Sequence, residues 1–370
     1  MIERLARYVA IPSLSRQESA LADQVSADLA RHDLLVLRRG NNVWCTLGDA
    51  ARPRLLLNSH LDTVPAAAGW TGDPWQPQGR PARVTGLGAN DAKGCAVALL
   101  EAVLRVQARL QHGERLGGTI VLALTAEEET SGEGLGTILP ELTPLDAALV
   151  GEPTGFVPMT AQRGLLVLRG VARGRSGHPA HTPPSVAQNA ILTAAHDFTA
   201  LQSFDWGPPH PMLGRRHAHV TRIHGGIANN VIPDACEFIL DVRTTPLESH
   251  PVLHARLAGA LASELHVHSD RLVPVETAVE EPIVRAVLRA RPGVRPTGSP
   301  AMSDMVFLAG IPSVKIGPGE PSRSHTADEY LAADELLDGV ETYERIVHAY
   351  FALARGERAV CRGRVGHETG

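Results

Sequence analysis

The chain has 370 residues, of which 44% are hydrophobic and 20% charged, with a formal net charge of −5 at pH 7. This length favours two domains, and an acidic balance without a basic stripe argues against nucleic acid as the main partner. No run approaches the roughly 18 apolar residues of a membrane span, and the N-terminus lacks a signal-peptide pattern. The four cysteines form no C-x-x-C pair, which favours reduced thiols and a cytoplasmic location.

The first 162 residues alternate between strand-like and helix-like segments. Strand patterns occur at 33–39, 42–48, 54–60, 119–128 and 146–153, and a helix pattern occurs at 91–110. Strands that alternate with helices predict an α/β sandwich with a mostly parallel sheet.

The pattern changes from about residue 163. Longer strand patterns (163–175, 217–226, 229–243) and two helix patterns (184–201, 251–265) predict an inserted α+β unit over 163–275. The α/β pattern then returns, with a strand at 311–319 and a long helix from residue 332. We therefore expect a discontinuous α/β domain formed by 1–162 and 276–358, an inserted domain at 163–275, and a tail at 359–370.

Polar side chains collect where the α/β strands end. They are His60, Asp62, Asp91, the triplet 127–129, Glu152 and His325. Ligands of open α/β sheets bind at the carboxyl ends of strands, so these groups could share one crevice. Histidines and carboxylates without cysteine suit zinc, cobalt or manganese. Several carboxylates could not be ionised together in a partly buried cleft without cations, and two metal ions would balance them.

Each of these residues also has an ordinary structural interpretation. His60 and Asp62 could form a surface pair, and the glutamates could begin a solvated helix. Asp91 could be an N-cap, and His325 an exposed loop residue. Each alternative explains one position, whereas a metal site explains ligand-type residues at five strand ends. The sequence therefore predicts a metal site.

The chain contains five motifs in the order and at about the spacing of a known family: SHLDTVP, GLGANDAKG, TAEEETSGEG, GEPTG and GPGEPSRSHTADEYL. They resemble the two-zinc metallopeptidases that include acetylornithine deacetylase, succinyl-diaminopimelate desuccinylase and glutamate carboxypeptidase. The likeness is greatest to the deacetylases of arginine biosynthesis. It implies a hydrolase that releases acetate from N-acetyl-L-citrulline or N-acetyl-L-ornithine, with citrulline slightly favoured. A dipeptidase or carboxypeptidase of the same family, or a non-catalytic binding protein, is the alternative.

The resemblance also implies a ligand set for two divalent ions, zinc or cobalt. Asp91 would bridge both ions. His60 and Glu152 would complete one site, and Glu129 and His325 the other.

Two further carboxylates are assigned to the chemistry by the same resemblance. Asp62 would sit behind His60 and accept its second ring N–H, which fixes the tautomer and orientation of the ring. Glu128 would be the general base that takes a proton from water and passes it to the leaving amine. The triplet can also be aligned one residue earlier, with Glu127 and Glu128 in place of Glu128 and Glu129.

The inserted domain resembles the family's lid and dimerisation domain. His178 matches the histidine that reaches the site, in dimeric members from the partner subunit, but the following spacing departs from the family and leaves His181 as an alternative. Asn229 and Arg243 match binders of the substrate's α-carboxylate, a role for which arginine is well suited. The plain alternative for Arg243 is a strand-end surface pair. We expect a homodimer formed through this domain and a small N-acyl amino acid as substrate.

Overall fold

The structure is a computed structural model that describes residues 1–80, 82–130 and 133–365. It contains two compact units, which are described separately below. The first consists of Met1–Thr160, Glu276–Thr297 and Ser303–Gly370, and the second of Ala161–Val275 and Gly298–Met302. Residues 366–370 of the predicted tail lie outside the described part of the chain.

The described residues form α-helices and two short 3₁₀ helices. The α-helices are α1 (Ile2–Val9), α2 (Ser19–Ala30), α3 (Lys93–Gln111), α4 (Glu133–Leu142), α5 (Ala190–Gln202), α6 (His250–Ala260), α7 (Pro282–Ala290) and α8 (Ala333–Val365). The 3₁₀ helices are Asp304–Phe307 and Pro321–Arg323.

The strands divide among three sheets. In chain order they are β1 (Val36–Arg39), β2 (Asn42–Gly48), β3 (Arg54–His60), β4 (Gln78–Arg80), β5 (Arg83–Thr85), β6 (Thr119–Thr125), β7 (Ala147–Val150), β8 (Met159–Gln162), β9 (Gly164–Arg173), β10 (His217–Gly225), β11 (Ala235–Thr244), β12 (Glu264–Leu272), β13 (Val275–Glu276), β14 (Thr297–Ser299), β15 (Ser313–Lys315) and β16 (Tyr330–Ala332).

The large sheet has the strand order β1-β2-β6-β3-β7-β15-β8-β13, and β14 pairs with β8. Its centre, formed by β6, β3, β7 and β15, is parallel, whereas β2 and β1 extend it antiparallel. Central parallel strands are covered on both faces and therefore read as continuous apolar runs. Leu55, Leu56 and Leu57 of β3 follow this rule, because all three are fully buried. The predicted α/β class with a mostly parallel sheet is confirmed.

The second unit is built on an antiparallel sheet in the order β10-β11-β9-β12. Burial alternates along β11, so only one face of the sheet is covered. That face packs against α5 and α6, with Phe238, Leu240 and Val242 from the sheet meeting Ala194 and Leu253 from the helices. This α+β arrangement confirms the second part of the predicted fold class.

Several element ends differ from the sequence-based expectation. The helix expected over 184–201 begins only at Ala190, where the Asn189 side chain accepts the N–H of Ile191 and caps the helix. The strand expected from 229 begins at Ala235. Helix α8 continues to Val365, past the expected start of the tail. Among the residues that the structure describes, no helix combines the length and apolar character needed to cross a membrane.

Candidate metal centre

The carboxyl ends of the central parallel strands lie level at one edge of the large sheet. His60, the last residue of β3, is in register with Thr125, the last residue of β6. Val150 ends β7 in register with Asn58 and also with Lys315, the last residue of β15. This edge explains why the histidine and carboxylates that follow these strands can meet.

The two oxygens of the Asp91 carboxylate face two different sets of ligand-type side chains. Oδ1 lies 3.2 Å from His60 Nε2, and the same ring nitrogen lies 4.0 Å from Glu152 Oε1. Oδ2 lies 3.7 Å from His325 Nε2, which is 2.9 Å from Glu129 Oε1. Ligand atoms of His60, Asp91 and Glu129 all lie within 4.8 Å of one another. The five predicted ligands are therefore brought together, in the two sets that the resemblance implies.

Asp91 does not act as an N-cap of α3. The N-cap position is Ala92, and no side chain caps this helix end. The Asp91 backbone is instead held by Glu329, whose Oε1 accepts the N–H groups of Asn90 and Asp91, each at 2.8 Å. The sequence reasoning missed Glu329, although it lies in the same motif as His325.

Asp62 contacts His60 mainly through a different atom from the one predicted. His60 Nδ1 lies 3.0 Å from the Asp62 backbone oxygen but 3.4 Å from its carboxylate Oδ1. The carboxylate accepts stronger hydrogen bonds elsewhere, from the Ser15 hydroxyl at 2.7 Å and from the backbone N–H groups of Glu128 and Glu129 at 3.1 Å each. Asp62 therefore holds the glutamate backbone at least as firmly as the His60 ring.

The acid loop, defined here as residues 126–129, follows β6. Its glutamates point to different surroundings: the Glu127 carboxylate pairs with exposed Arg16 at 3.1 Å, whereas the Glu129 carboxylate meets His325. Glu127 has a positive φ of 57°, which turns the chain between the two directions. This geometry favours Glu129 over Glu128 as the ligand, and the assignment of the base remains a prediction.

Burial and mutual repulsion act on the carboxylates of this site. Burial raises the pKa of Glu128 well above its ordinary value, and the charge of Glu152 adds to the effect. Burial likewise raises the pKa of Glu152 to about 8, with Asp91 contributing, although His60 counteracts the shift. These carboxylates resist ionising together without added positive charge. A donor set of histidine nitrogens and carboxylate oxygens with this deficit of positive charge fits divalent metal ions.

The histidines take up part of that positive charge. Burial lowers the pKa of His60, but hydrogen bonds to Asp62 and Asp91 outweigh it, so the pKa lies well above its ordinary value. The hydrogen bond to Glu129 raises the pKa of His325 to about 9. Burial tends to raise the pKa of Asp91, yet its hydrogen bond with His60 leaves the pKa lowered. The raised pKa values favour the protonated histidines, and bound metal ions would displace these protons.

Two further charged residues lie buried beside the centre. Lys315 is 5% exposed; burial lowers its pKa, while the negative charges of Glu152 and Glu128 oppose the shift. Burial raises the pKa of Asp304 to about 6, and its Oδ2 accepts the Thr125 hydroxyl at 2.7 Å. Nothing in the sequence marks Lys315, because a lysine in a strand run is typical of a solvated face. The sequence analysis assigned no role to Asp304 either.

The remaining predicted site residues belong to the second unit. His178 and His181 are both exposed, with ring centroids 5.2 Å apart, so neither is singled out. His178 Nδ1 accepts the Ala180 N–H at 3.2 Å, which leaves Nε2 as the ring's donor. Asn229 is exposed. Arg243 donates two hydrogen bonds to Asp241 on its own strand, at 2.7 and 3.1 Å, so a substrate carboxylate would have to share or displace that partner.

Comparisons with known proteins identify a matching family profile and similar proteins. A profile described as Peptidase family M20/M25/M40 matches residues 56–349. The chain is 30% identical to a succinyl-diaminopimelate desuccinylase of Xylella fastidiosa (strain 9a5c), over 92% of this chain and 96% of that protein.

Solved structures share the fold. The aminopeptidase PepT of Bacillus cereus superposes with a TM-score of 0.74 at 19% identity, covering 95% of this chain and 99% of that one. The YXEP protein of Bacillus subtilis, a dinuclear metal-binding peptidase, superposes with a TM-score of 0.70 at 18% identity, covering 95% and 97%.

Proposed function

The chain belongs to peptidase family M20/M25/M40 and is a metal-dependent hydrolase of that family, and from this premise we propose that it deacylates small N-acyl-L-amino acids. One observation carries the proposal. The two oxygens of Asp91 face separate sets of ligand-type side chains, with His60 on one side and His325 on the other. Half-buried Glu128 belongs to the same group of interacting charges.

Two divalent ions shared by Asp91, one with His60 and Glu152 and one with Glu129 and His325, would supply Lewis acidity that activates water and polarises the amide carbonyl. Zinc and cobalt both suit these ligands.

Proton transfer falls to Glu128. A carboxylate with a raised pKa can accept a proton from the attacking water and return it near neutral pH. The water oxygen bonds to the carbonyl carbon, the C–N bond breaks, and Glu128 delivers the proton to the leaving nitrogen. The products are a carboxylic acid and a free amine. No serine or cysteine nucleophile is required.

N-acetyl-L-citrulline and N-acetyl-L-ornithine are the first substrates to test, with citrulline slightly favoured by the overall resemblance. The similarity to succinyl-diaminopimelate desuccinylases supports an N-succinyl amino acid as a second candidate. In either case Asn229 and Arg243 are proposed to bind the α-carboxylate, and His178 or His181 to assist at the acyl group. Dipeptides and C-terminal peptide bonds remain alternatives within the family.

We further propose a cytoplasmic homodimer formed through the second unit. Its strand β10 is an edge strand that is exposed along most of its length. Ile223 on this strand is 55% exposed, and Leu192 on α5 is 59% exposed. An exposed edge strand with apolar side chains is a natural pairing surface.

Steady-state hydrolysis by metal-loaded protein tests the function, with the acetyl, succinyl and dipeptide substrates measured side by side. We expect hydrolysis of acetylcitrulline to exceed that of the other substrates by about tenfold in kcat/KM. Glu128→Gln should reduce kcat by about 10²–10⁴. Glu127→Gln is the matched control, because it changes a neighbouring glutamate that pairs with Arg16. Loss of activity in Glu127→Gln alone would favour the shifted alignment, and no hydrolysis of any substrate would refute the proposal.

A further inference from the structure

Glu18 is a fully buried carboxylate near the N-terminus whose hydrogen bonds lead to the acid loop. Its Oε1 accepts the backbone N–H of Arg16 at 2.7 Å and that of Glu127 at 3.2 Å. Its Oε2 accepts the side-chain amide of Asn41 at 2.8 Å. Glu18 occupies the N-cap position of α2, yet its side chain makes no capping hydrogen bond there. The carboxylate is therefore turned away from its own helix and toward the acid loop.

All four N–H groups of the acid loop are bound by side chains. Asn42 Oδ1 accepts the N–H of Ala126 at 2.9 Å, and Glu18 accepts that of Glu127. Asp62 accepts the next two, from Glu128 and Glu129. Strand β6 ends at Thr125, so its ladder no longer supplies partners for these groups. Fixed side-chain acceptors thus define the path of the loop.

The N-terminal segment 13–18 connects the carboxylates of Glu18 and Asp62. The Ser15 hydroxyl donates to Asp62 at 2.7 Å, and the Ser15 N–H donates to the Thr63 oxygen. Arg16 and Glu127 both have a positive φ, of 72° and 57° respectively. Non-glycine residues keep this conformation only where the surroundings hold it. Glu18 bonds to the N–H of both.

We propose that Glu18 is a positioning residue, which sets the direction of the Glu128 and Glu129 side chains by fixing the backbone of Glu127. The inference rests on the proposed function, in which Glu128 is the base and Glu129 a metal ligand. A carboxylate at a reacting centre must be placed accurately, because a displacement of about 1 Å can cost about 10²-fold in rate. Removing the acceptor of the Glu127 N–H would allow the backbone of the acid loop to move at its first turn.

Two substitutions distinguish the loss of the hydrogen-bond acceptor from a change in side-chain volume. Glu18→Met fills similar space without an acceptor, and Glu18→Gln keeps one oxygen for the Glu127 N–H. The matched control is Asp28→Leu, since Asp28 is an equally buried carboxylate of the N-terminal region that binds Tyr8 and Arg31. All three changes are expected to lower the melting temperature.

The variants are compared by kcat, KM and isothermal titration with Co²⁺. Glu18→Met should lose about 10–10²-fold in kcat with little change in KM, and should bind the second Co²⁺ about tenfold more weakly. Glu18→Gln should stay within about threefold of wild type in both kcat and Co²⁺ affinity, and Asp28→Leu should match wild type in both. Wild-type kcat and Co²⁺ affinity in a folded Glu18→Met would overturn the inference and leave Glu18 a stability residue.

The Co²⁺ titration also distinguishes the two proposals. If wild-type protein hydrolyses no substrate, the proposed function fails, while weaker Co²⁺ binding in Glu18→Met still supports positioning. Should Glu18→Met not fold, amide hydrogen exchange in wild type decides: the Glu127 N–H must be protected, and rapid exchange would refute the inference.

Discussion

Loading the metal-free protein with divalent ions at pH 7 is expected to release at least about two protons, from Glu152 and His325. With a pKa of about 8, Glu152 is roughly nine-tenths protonated at this pH. His325, with a pKa of about 9, is almost fully protonated. The raised pKa of His60 adds to the protons released. Asp91 contributes none, because its pKa is lowered. Metal ligands must be deprotonated, so Glu152 and His325 each lose a proton.

The pKa values also determine the sign of the pH dependence of metal affinity. Protons compete with metal ions below the pKa of each ligand, so metal affinity rises with pH, by about two decades or more per pH unit around pH 7. At pH 9 Glu152 is already ionised and His325 is about half deprotonated, so proton release should fall by about one or more.

Isothermal titration in buffers of different ionisation enthalpy measures this count. Glu152→Gln should release about one proton fewer than wild type at pH 7, because the amide does not titrate. Glu127→Gln should leave the count unchanged, since Glu127 pairs with Arg16. Release of fewer than about two protons by wild type, or an equal count in Glu152→Gln, would refute the electrostatic description of the site.

Three further predictions concern stability and assembly. Lys93→Met leaves the carbonyls of Tyr8 and Ile11 without the buried amine and should cost about 1–3 kcal/mol for each, by urea unfolding. Burial lowers the pKa of Lys93 to about 7, so between about pH 7 and 10.5 the unfolded chain binds a proton that the folded chain does not. The free energy of unfolding of wild type, relative to this variant, should therefore rise over that range. A difference that does not change with pH would contradict the lowered pKa. Metal at 100 times Kd should add about 2.7 kcal/mol to the free energy of unfolding, with no gain in Asp91→Asn. Ile223→Lys should convert a dimer to monomers in light scattering, and an unchanged dimer would place the interface elsewhere.

The fold class and the clustering of ligand-type residues could be predicted because their sequence patterns are local. A continuous apolar run that ends in a polar residue marks a central strand and its carboxyl end, as in Leu55–Leu57 followed by His60. Parallel strands bring such ends to one edge, which is how Glu129, after β6, comes to lie near His60, after β3, whereas Asp91 reaches the site from the loop before α3. No contact had to be known in advance.

The contacts that hold these residues could not be predicted in the same way. Glu18 meets Glu127 across 109 residues, and the sequence around Glu18 resembles an ordinary helix start. The burial of Lys315 likewise depends on neighbouring strands that no local pattern reveals.

A finer local pattern could have found one partner. Asp241 and Arg243 are two apart on a strand and therefore share a face, so their ion pair was foreseeable. In contrast, the main hydrogen-bond partner of the Asp62 carboxylate is the backbone of the acid loop, whose position depends on the fold.

Anomalous diffraction from crystals loaded with Zn²⁺ or Co²⁺ tests the central claim most directly. The account predicts two peaks on either side of the Asp91 carboxylate, one beside His60 and Glu152 and the other beside Glu129 and His325. A single peak, or peaks away from Asp91, would contradict it.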